Sequence, residues 1–217
     1  MKTFIIGIAG GVGRRVAQQL LAQGDEVDGL VRNQEKAEEL AQSGISTSPG
    51  DLVAMSVPEL ADALRGSDAI VFSAGAGGKD GPDATRQVDG EGPPKLAAAA
   101  EMAGVRRFVL VSVFPEAWRE RERTDDFENY IKEKKNADTK MVLTGLDWVL
   151  VRPSALMDEP GTGQVDLGLA KIHEEISRDD VATTIVEVLG EPGVNHTILE
   201  VTAGTTPIRE AVMAMAR

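Results

Sequence analysis

Residues 5 to 16 read "IIGIAGGVGRRV". In this stretch Gly7, Gly10 and Gly13 stand three residues apart, between an apolar run typical of a strand and an amphipathic run typical of a helix. Glycines at this spacing remove the side chains that would keep a pyrophosphate away from backbone N–H groups at a helix N-terminus. The stretch therefore predicts a strand–turn–helix that binds a dinucleotide.

The rest of the chain repeats this alternation of strand and helix. Apolar runs such as "EVDGLV" and "RRFVLVS" are typical of strands buried on both faces of a parallel sheet. The amphipathic stretches between them mostly end in glycine, which accommodates a left-handed helix C-cap. The pattern predicts an α/β fold, a Rossmann-like doubly wound parallel sheet in three α/β/α layers, closed as a single domain. A further short strand is expected at residues 45 to 48.

Composition excludes several classes of site and partner. The chain has 217 residues, a net charge of −12 at pH 7 and no cysteine, so disulfides and thiolate metal sites are excluded. With only His173 and His196 available, no metal site is predicted. The negative charge disfavours nucleic acid and anionic membrane as partners. The chain has no run of 18 apolar residues and passes from Met1 directly into a strand, so we expect a cytoplasmic protein without a signal sequence. We expect a monomer or a homodimer that binds a small-molecule substrate.

Two long stretches interrupt the alternation, at residues 73–94 and 114–129. The first is rich in Gly and Asp, and its Pro93-Pro94 pair predicts that the following helix starts or kinks there. The second is a charged connection. Both follow strands, and loops at the carboxyl ends of strands line the ligand crevice in open α/β sheets. Each is either a lid over that crevice or a solvated loop without a role.

The end of the second strand decides which dinucleotide is expected. An acidic residue there would hold the ribose 2′-hydroxyl of NAD, but the sequence reads "GLVRN", with Arg32 at that end. A guanidinium suits the 2′-phosphate of NADP. The prediction is therefore NADP, with NAD less favoured. Asp28 is a rival but lies mid-strand, and Arg32 could also simply cover the sheet edge.

The stretch "NYIKEKKNAD", residues 129 to 138, contains the only tyrosine, Tyr130, with Lys134 four residues later. Four residues are one helical turn, so the two side chains share a helix face. This spacing permits a catalytic pair, and it equally fits two unrelated residues on an exposed helix.

The motifs taken together resemble a known family. "GIAGGVGR", "LVRN", "PGDL", "YIKEK", "GLDWVLVRPSAL" and "ISRDDVA" are similar to the atypical short-chain dehydrogenase/reductases that bind NAD(P). This NAD(P)H-binding or NmrA-like group includes relatives of flavin and biliverdin reductases and of sugar epimerases. The resemblance runs from residue 2 to about 212. It implies a small C-terminal substrate region, at about residues 153–217, within the single domain.

The resemblance also implies positions for the cofactor. Its contacts would be Gly7, Gly10, Val12, Gly13 and Arg14 at the pyrophosphate, Arg32 at the 2′-phosphate, Asp51 and Leu52 at the adenine, and Ser73, Ala74 and Gly75 on the ribose and nicotinamide side. Asp51 could also be the N-cap of the next helix. Pro153 ends the sixth strand beside the expected nicotinamide, where its backbone could contact the carboxamide.

For catalysis, the resemblance implies that Tyr130 is a general acid/base. Lys134 would lower the pKa of Tyr130 and bind the nicotinamide ribose, and Ser112 after the fifth strand would help orient the substrate oxygen. The chain departs from the family pattern here, because Ser112 stands at the first position of a usual Ser-Ser pair. Val113 and Phe114 follow where the orienting hydroxyl is expected.

Three functions remain as hypotheses. The first is a NADP-dependent oxidoreductase that transfers hydride between nicotinamide and a small carbonyl, quinone or flavin-like substrate. The second is a redox sensor that binds NADP(H) without turnover, and the third is a sugar-nucleotide epimerase. The last would need a larger substrate region than the residues after the sixth strand provide.

Overall fold

The apolar runs of the sequence form strands in the computed structural model, which describes residues 1–77, 81–117, 119 and 122–216. The central sheet consists of β1 (Lys2–Ile6), β2 (Glu26–Val31), β3 (Ser48–Pro49), β4 (Ala69–Phe72), β5 (Arg107–Val111), β6 (Asp147–Pro153), β8 (Gln164–Gly168), β10 (Thr197–Ala203) and β11 (Thr206–Pro207). Two short strands, β7 (Ala155–Met157) and β9 (Glu175–Ser177), pair with each other in parallel outside it.

The strand order of the central sheet is β11-β8-β10-β6-β5-β4-β1-β2-β3. The seven neighbouring strands β10-β6-β5-β4-β1-β2-β3 are all parallel. Strand β8 is antiparallel to both of its neighbours, β10 and β11. The order β3-β2-β1-β4-β5-β6 changes direction between β1 and β4. In open α/β sheets this switch point places a ligand crevice at the carboxyl ends of the strands.

The amphipathic stretches form the helices that cover the sheet. They are α1 (Gly11–Ala22), α2 (Gln34–Gln42), α3 (Val57–Leu64), α4 (Gly81–Thr85), α5 (Gly92–Ala103), α6 (Asp125–Val142), α7 (Arg178–Gly190) and α8 (Ile208–Met213), with a π-helical turn (Arg86–Glu91) between α4 and α5. Within the described residues, no helix is both long and apolar enough to cross a lipid bilayer.

Buried side chains pack on both faces of the sheet. Ile5 and Val109 belong to the apolar cluster that includes residues of α1 and α7, whereas Phe4 and Phe108 belong to the cluster that includes residues of α3 and α5. Alternate residues of one strand point to opposite faces, which explains why these strands are apolar throughout. The predicted three-layer Rossmann-like fold with a doubly wound parallel sheet is confirmed, while the antiparallel strand β8 was not predicted.

Local predictions were less accurate than the fold class. The short strand lies at Ser48–Pro49 instead of residues 45 to 48, because the pairing with β2 begins only at Ser48. The glycines predicted to end helices adopt the left-handed conformation after α1, α2, α3 and α5, whereas Gly190 is the last residue of α7 and does not. The left-handed φ values are 84° at Gly24, 74° at Gly44 and 75° at Gly66.

The stretch 73–94 is not the loop that was expected. Its second half is helical, running from α4 through the π-helical turn into α5, while residues 78–80 lie outside the described residues. The prediction about Pro93-Pro94 is correct, since α5 starts at Gly92 with proline in its first turn. Proline lacks an N–H, and in the first turn of a helix that N–H would have no partner.

The connection between β5 and α6 is shorter than expected, because the last five residues of the stretch 114–129 belong to the helix. Helix α6 begins at Asp125, and the hydroxyl of Thr124 caps it by accepting from the Phe127 N–H at 3.2 Å. Residues 118, 120 and 121 lie outside the described residues. A lid role for this connection stays a prediction.

Candidate active site

The glycine loop is packed so closely that side chains at two positions would not fit. Gly7 has a left-handed φ of 90°, and a Cβ there would lie 2.5 Å from the Ala74 nitrogen. A Cβ on Gly13 would lie 2.3 Å from the Gly7 carbonyl oxygen. The turn closes with the Gly10 N–H donating to that same oxygen at 2.8 Å. Gly10 and Gly11 at the N-terminus of α1 are exposed, and the first turn of the helix has no acidic residue. The backbone N–H groups there can therefore bind a pyrophosphate.

A long crevice of about 560 Å³ runs over this loop along the carboxyl ends of β1, β2, β3 and β4. Eight residues predicted to bind the cofactor line it, namely Gly7, Gly10, Arg32, Asp51, Leu52, Ser73, Ala74 and Gly75. These eight residues follow four different strands of the sheet and lie on one continuous surface.

Five other residues predicted to bind the cofactor do not line this crevice, namely Val12, Gly13, Arg14, Pro153 and Lys134, the last of which is described below. Val12 is buried, and Gly13 packs beneath the loop against Gly7. Arg14 forms an ion pair with Glu39 at 2.7 Å, and Pro153 is buried in β6 beside β10. Their contacts with a cofactor stay predictions.

One end of the crevice is basic. Arg32 is exposed there, with its guanidinium 3.9 Å from the Asp51 carboxylate. Lys36, which the sequence reading missed, lines the same end and pairs with Glu39 at 2.7 Å. The two cations flank the N-terminus of α2, which Asn33 caps by accepting from the Glu35 N–H. Arg32 precedes the N-cap of α2 and Lys36 lies in the first turn of that helix, so the spacing between them gave no helical signal.

Two carboxylates near this end have structural roles. Asp28 lies within β2 and accepts a hydrogen bond from the Ser48 hydroxyl at 3.2 Å. Asp51 accepts from the Val53 N–H at 2.8 Å in a local turn. The alternative reading of Asp51 as a helix N-cap is wrong, because Ser56 caps α3 in a capping box with Glu59.

A second crevice, of about 400 Å³, meets the long crevice at Gly75. We call it the apolar pocket. Its lining is Gly75, Gly77, Gly81, Pro82, Thr85, Asp126, Phe127, Asn129 and Tyr130. The rings of Phe127 and Tyr130 lie 6.2 Å apart between centroids and form one wall. The pocket suits a small apolar or aromatic molecule placed against the end of the long crevice.

The lining of these two crevices comes from residues between Ile6 and Tyr130. Residues 153–217 supply β8, β10 and β11 at one edge of the sheet, together with α7 and α8. Their role as a substrate region stays a prediction.

Lys134 is buried next to the junction of the crevices. Its ammonium donates to the Val111 carbonyl at 2.9 Å and lies 3.7 Å from Oδ1 of Asp89, a residue that is itself 1% exposed. Burial lowers the pKa of Lys134 and raises the pKa of Asp89, and the attraction between the two charges opposes both shifts. Asp89 was missed by the sequence reading, because its segment was interpreted as a loop.

Tyr130 lies one turn before Lys134 on α6. The pKa of its phenol is raised, first by burial and then by the negative charges of Asp89 and Asp138. The expectation that Lys134 lowers this pKa is therefore wrong for the protein without ligands, because the ammonium faces Val111 and Asp89. Tyr130 is therefore a neutral phenol that holds its proton more tightly than a phenol in water, which makes it a weaker proton donor.

Ser112 lies at the end of β5, next to the carbonyl that Lys134 holds. Its N–H donates to the Val151 carbonyl at 2.8 Å, and its buried hydroxyl has no hydrogen-bond partner among the described residues. The Lys134 ammonium therefore binds the carbonyl of Val111, the residue that precedes Ser112. The third residue predicted as catalytic, Tyr130, faces the apolar pocket. Their catalytic roles stay predictions.

The two histidines lie apart from the crevice linings. His173 packs edge-on against Phe114, with ring centroids 5.1 Å apart. His196 packs against Trp148, and its Nε2 lies 2.9 Å from the Leu146 carbonyl oxygen.

Comparisons with known proteins agree with this geometry. A family model described as NAD(P)H-binding matches residues 7–192. The uncharacterized sugar epimerase YhfK of Bacillus subtilis is 36% identical over 98% of this chain and 99% of its own length. Among solved structures, the oxidoreductase ylbE of Lactococcus lactis superposes with a TM-score of 0.87 and 29% identity, covering 99% of this chain and 96% of its own. ChuY of Escherichia coli O157:H7, an anaerobillin reductase, has a TM-score of 0.80 and 25% identity, covering 94% of this chain and 97% of its own.

Proposed function

The chain belongs to the NAD(P)H-binding family, and from that membership we propose that it is a NADP-dependent oxidoreductase that reduces a small apolar carbonyl, quinone or flavin-like acceptor. The observation that carries the proposal is the meeting of the two crevices at Gly75. One crevice has the glycine loop and basic end that a phosphorylated dinucleotide requires, and the other is apolar and ends against it.

Each part of the site has a separate task. The glycine loop binds the pyrophosphate through backbone N–H groups, while Arg32 and Lys36 bind the 2′-phosphate. The bound nicotinamide supplies the hydride. Phe127 and the ring of Tyr130 hold the acceptor and exclude water, and the Tyr130 hydroxyl donates the proton to the substrate oxygen.

The basic end of the long crevice predicts the cofactor preference. We expect the protein to bind NADPH more tightly than NADH, and we expect Arg32→Asp to reduce that ratio by about tenfold or more. A charge-assisted hydrogen bond contributes about 1.5–3 kcal/mol, and each 1.4 kcal/mol is a factor of ten. Both affinities are measured by adding the protein to NADPH or to NADH and following the fluorescence of the reduced nicotinamide.

The matched control for this substitution is Arg209→Asp on α8, where the side chain is exposed and outside the crevice lining. It changes the net charge by the same amount and should leave the ratio as it is. Equal affinities of the unmodified protein for NADPH and NADH would refute the assignment of NADP.

The raised pKa of Tyr130 predicts how the two reaction directions depend on pH. Reduction needs the protonated phenol, which is present throughout the neutral range, so its kcat/KM should change little from about pH 6 to about pH 9. Oxidation of the reduced product needs the tyrosinate. Below the pKa the tyrosinate fraction rises about tenfold per pH unit, and kcat/KM for oxidation should rise with it. Steady-state rates in both directions test this, and an oxidation profile that levels off near neutral pH would show that the phenol has a lowered pKa instead.

A sensor that binds NADP(H) without turnover is the second candidate. The observations in its favour are Val113 and Phe114, which stand where a substrate-orienting hydroxyl was expected, and the raised pKa of Tyr130. A sensor would bind NADPH with the same preference and oxidise it with no quinone, carbonyl or flavin. Sugar-nucleotide epimerisation is less favoured, because the apolar pocket offers few polar groups to a sugar.

A further inference from the structure

The π-helical turn between α4 and α5 directs an acidic side chain into the protein. Of its six residues only Asp89 and Gly90 are buried. A π-helical turn is wider than an α-helical turn, is rare, and often occurs at functional sites. Here it brings the Asp89 carboxylate behind Gly75, the residue at which the two crevices meet.

The two oxygens of Asp89 have different surroundings. Oδ2 accepts a hydrogen bond from the Ala76 N–H at 3.0 Å and so holds the backbone that follows β4. Oδ1 has no hydrogen-bond partner among the described residues and lies 3.7 Å from the Lys134 ammonium. A Cβ on Gly75 would lie 3.1 Å from the same Oδ1, so a side chain at this position would crowd the carboxylate.

Lys134 depends on this carboxylate for its counter-charge. A buried ammonium is unfavourable unless an opposite charge lies close to it. Asp89 and Asp138 are the two carboxylates whose charges act on Lys134, and Asp138 already pairs with Arg152 at 2.7 Å. The Val111 carbonyl, on the β5 side, contributes a dipole but no charge. Asp89 in turn faces Lys134 and, more weakly, Glu133.

We propose that Asp89 is a positioning residue of the active site, whose carboxylate holds the Lys134 ammonium and the Gly75–Ala76 backbone in one arrangement beneath the junction of the two crevices. The inference deepens the proposed function and rests on it only for the meaning of that junction. The role of the π-helical turn is then to place the Asp89 carboxylate behind Gly75.

The direct test is the titration of Lys134 in Asp89→Asn, a variant that keeps the shape of the side chain and an oxygen for the Ala76 N–H. The Lys134 Cε and Nζ resonances are followed by NMR and assigned by their loss in Lys134→Met. Asp89 raises the pKa of Lys134 and burial lowers it, so removing the carboxylate leaves only the charge of Asp138 to oppose burial. We expect the titration midpoint to fall by at least about one pH unit.

The matched control is Asp83→Asn on α4, where the carboxylate is 90% exposed. It should leave the Lys134 titration in place. Gly75→Ala is a second variant in case Asp89→Asn does not fold, because its added methyl group displaces the Asp89 carboxylate without removing its charge. It should shift the midpoint in the same direction by a smaller amount.

Affinity for NADPH across the pH range separates positioning from a structural fault. Asp89→Asn should bind NADPH more weakly than the unmodified protein at high pH and recover its affinity at lower pH, where Lys134 regains its proton. A structural fault would weaken binding at every pH. An unshifted Lys134 titration in both Asp89→Asn and Gly75→Ala, or weaker binding without recovery in acid, would overturn the inference. A shifted titration in a protein that reduces no acceptor would instead overturn the proposed function and leave the role of Asp89 intact.

Discussion

Gly13→Ala is expected to lower the affinity for NADPH by at least about 100-fold, since displacements of about 1 Å in a site have effects of this order. The new Cβ would lie 2.3 Å from the Gly7 carbonyl oxygen and 2.7 Å from the Ser73 hydroxyl. The backbone oxygen cannot yield by a side-chain rotation, so the loop must move away from α1. That movement would separate the N–H groups that bind the pyrophosphate.

Two further glycine variants calibrate this result, and NADPH fluorescence titration with circular dichroism measures all three. Gly10→Ala places its Cβ 3.1 Å from the same oxygen, so a small adjustment suffices and the loss should be smaller. Gly190→Ala at the end of α7 meets no atom within 4 Å and should keep the affinity of the unmodified protein. Unchanged NADPH binding in a folded Gly13→Ala would show that the cofactor does not lie on this loop.

Tyr130→Phe is expected to lower turnover by about 10²–10⁴-fold, because it removes the proposed proton donor. The NADPH affinity should stay within about a factor of two, since the ring remains in the wall of the apolar pocket and only the hydroxyl is lost. Stopped-flow measurement of NADPH oxidation with a quinone or carbonyl acceptor gives the rate, and fluorescence titration gives the affinity.

Lys134→Met provides the comparison for this variant. It removes the ammonium next to the junction, so both the affinity for NADPH and the rate should fall, in contrast to the separate effect of Tyr130→Phe. Full activity in Tyr130→Phe would exclude the hydroxyl as general acid while leaving hydride transfer in place, as for an acceptor that takes its proton from solvent.

Whether a predicted residue lines the crevice depended on the kind of signal on which its prediction was based. Gly7 and Gly10 were found because a tight turn between a strand and a helix restricts its residues locally. Arg32 was found because the end of the second strand has a fixed place relative to that turn. Lys36 was missed because it lies in the first turn of α2, and its place in the crevice depends on how α2 lies against β2.

The sequence by itself determined the fold class, the glycine loop and the basic end of the crevice. These depend on hydrophobic periodicity and on backbone geometry within a few residues, which a local pattern records directly. The tertiary structure alone decided the partner of Lys134 and the environment of Tyr130. Spacing along α6 permitted the two to form a pair, but the ammonium points to Asp89 and Val111, on segments remote in the chain. The balance of burial and charge that sets their pKa values exists only where those segments pack together.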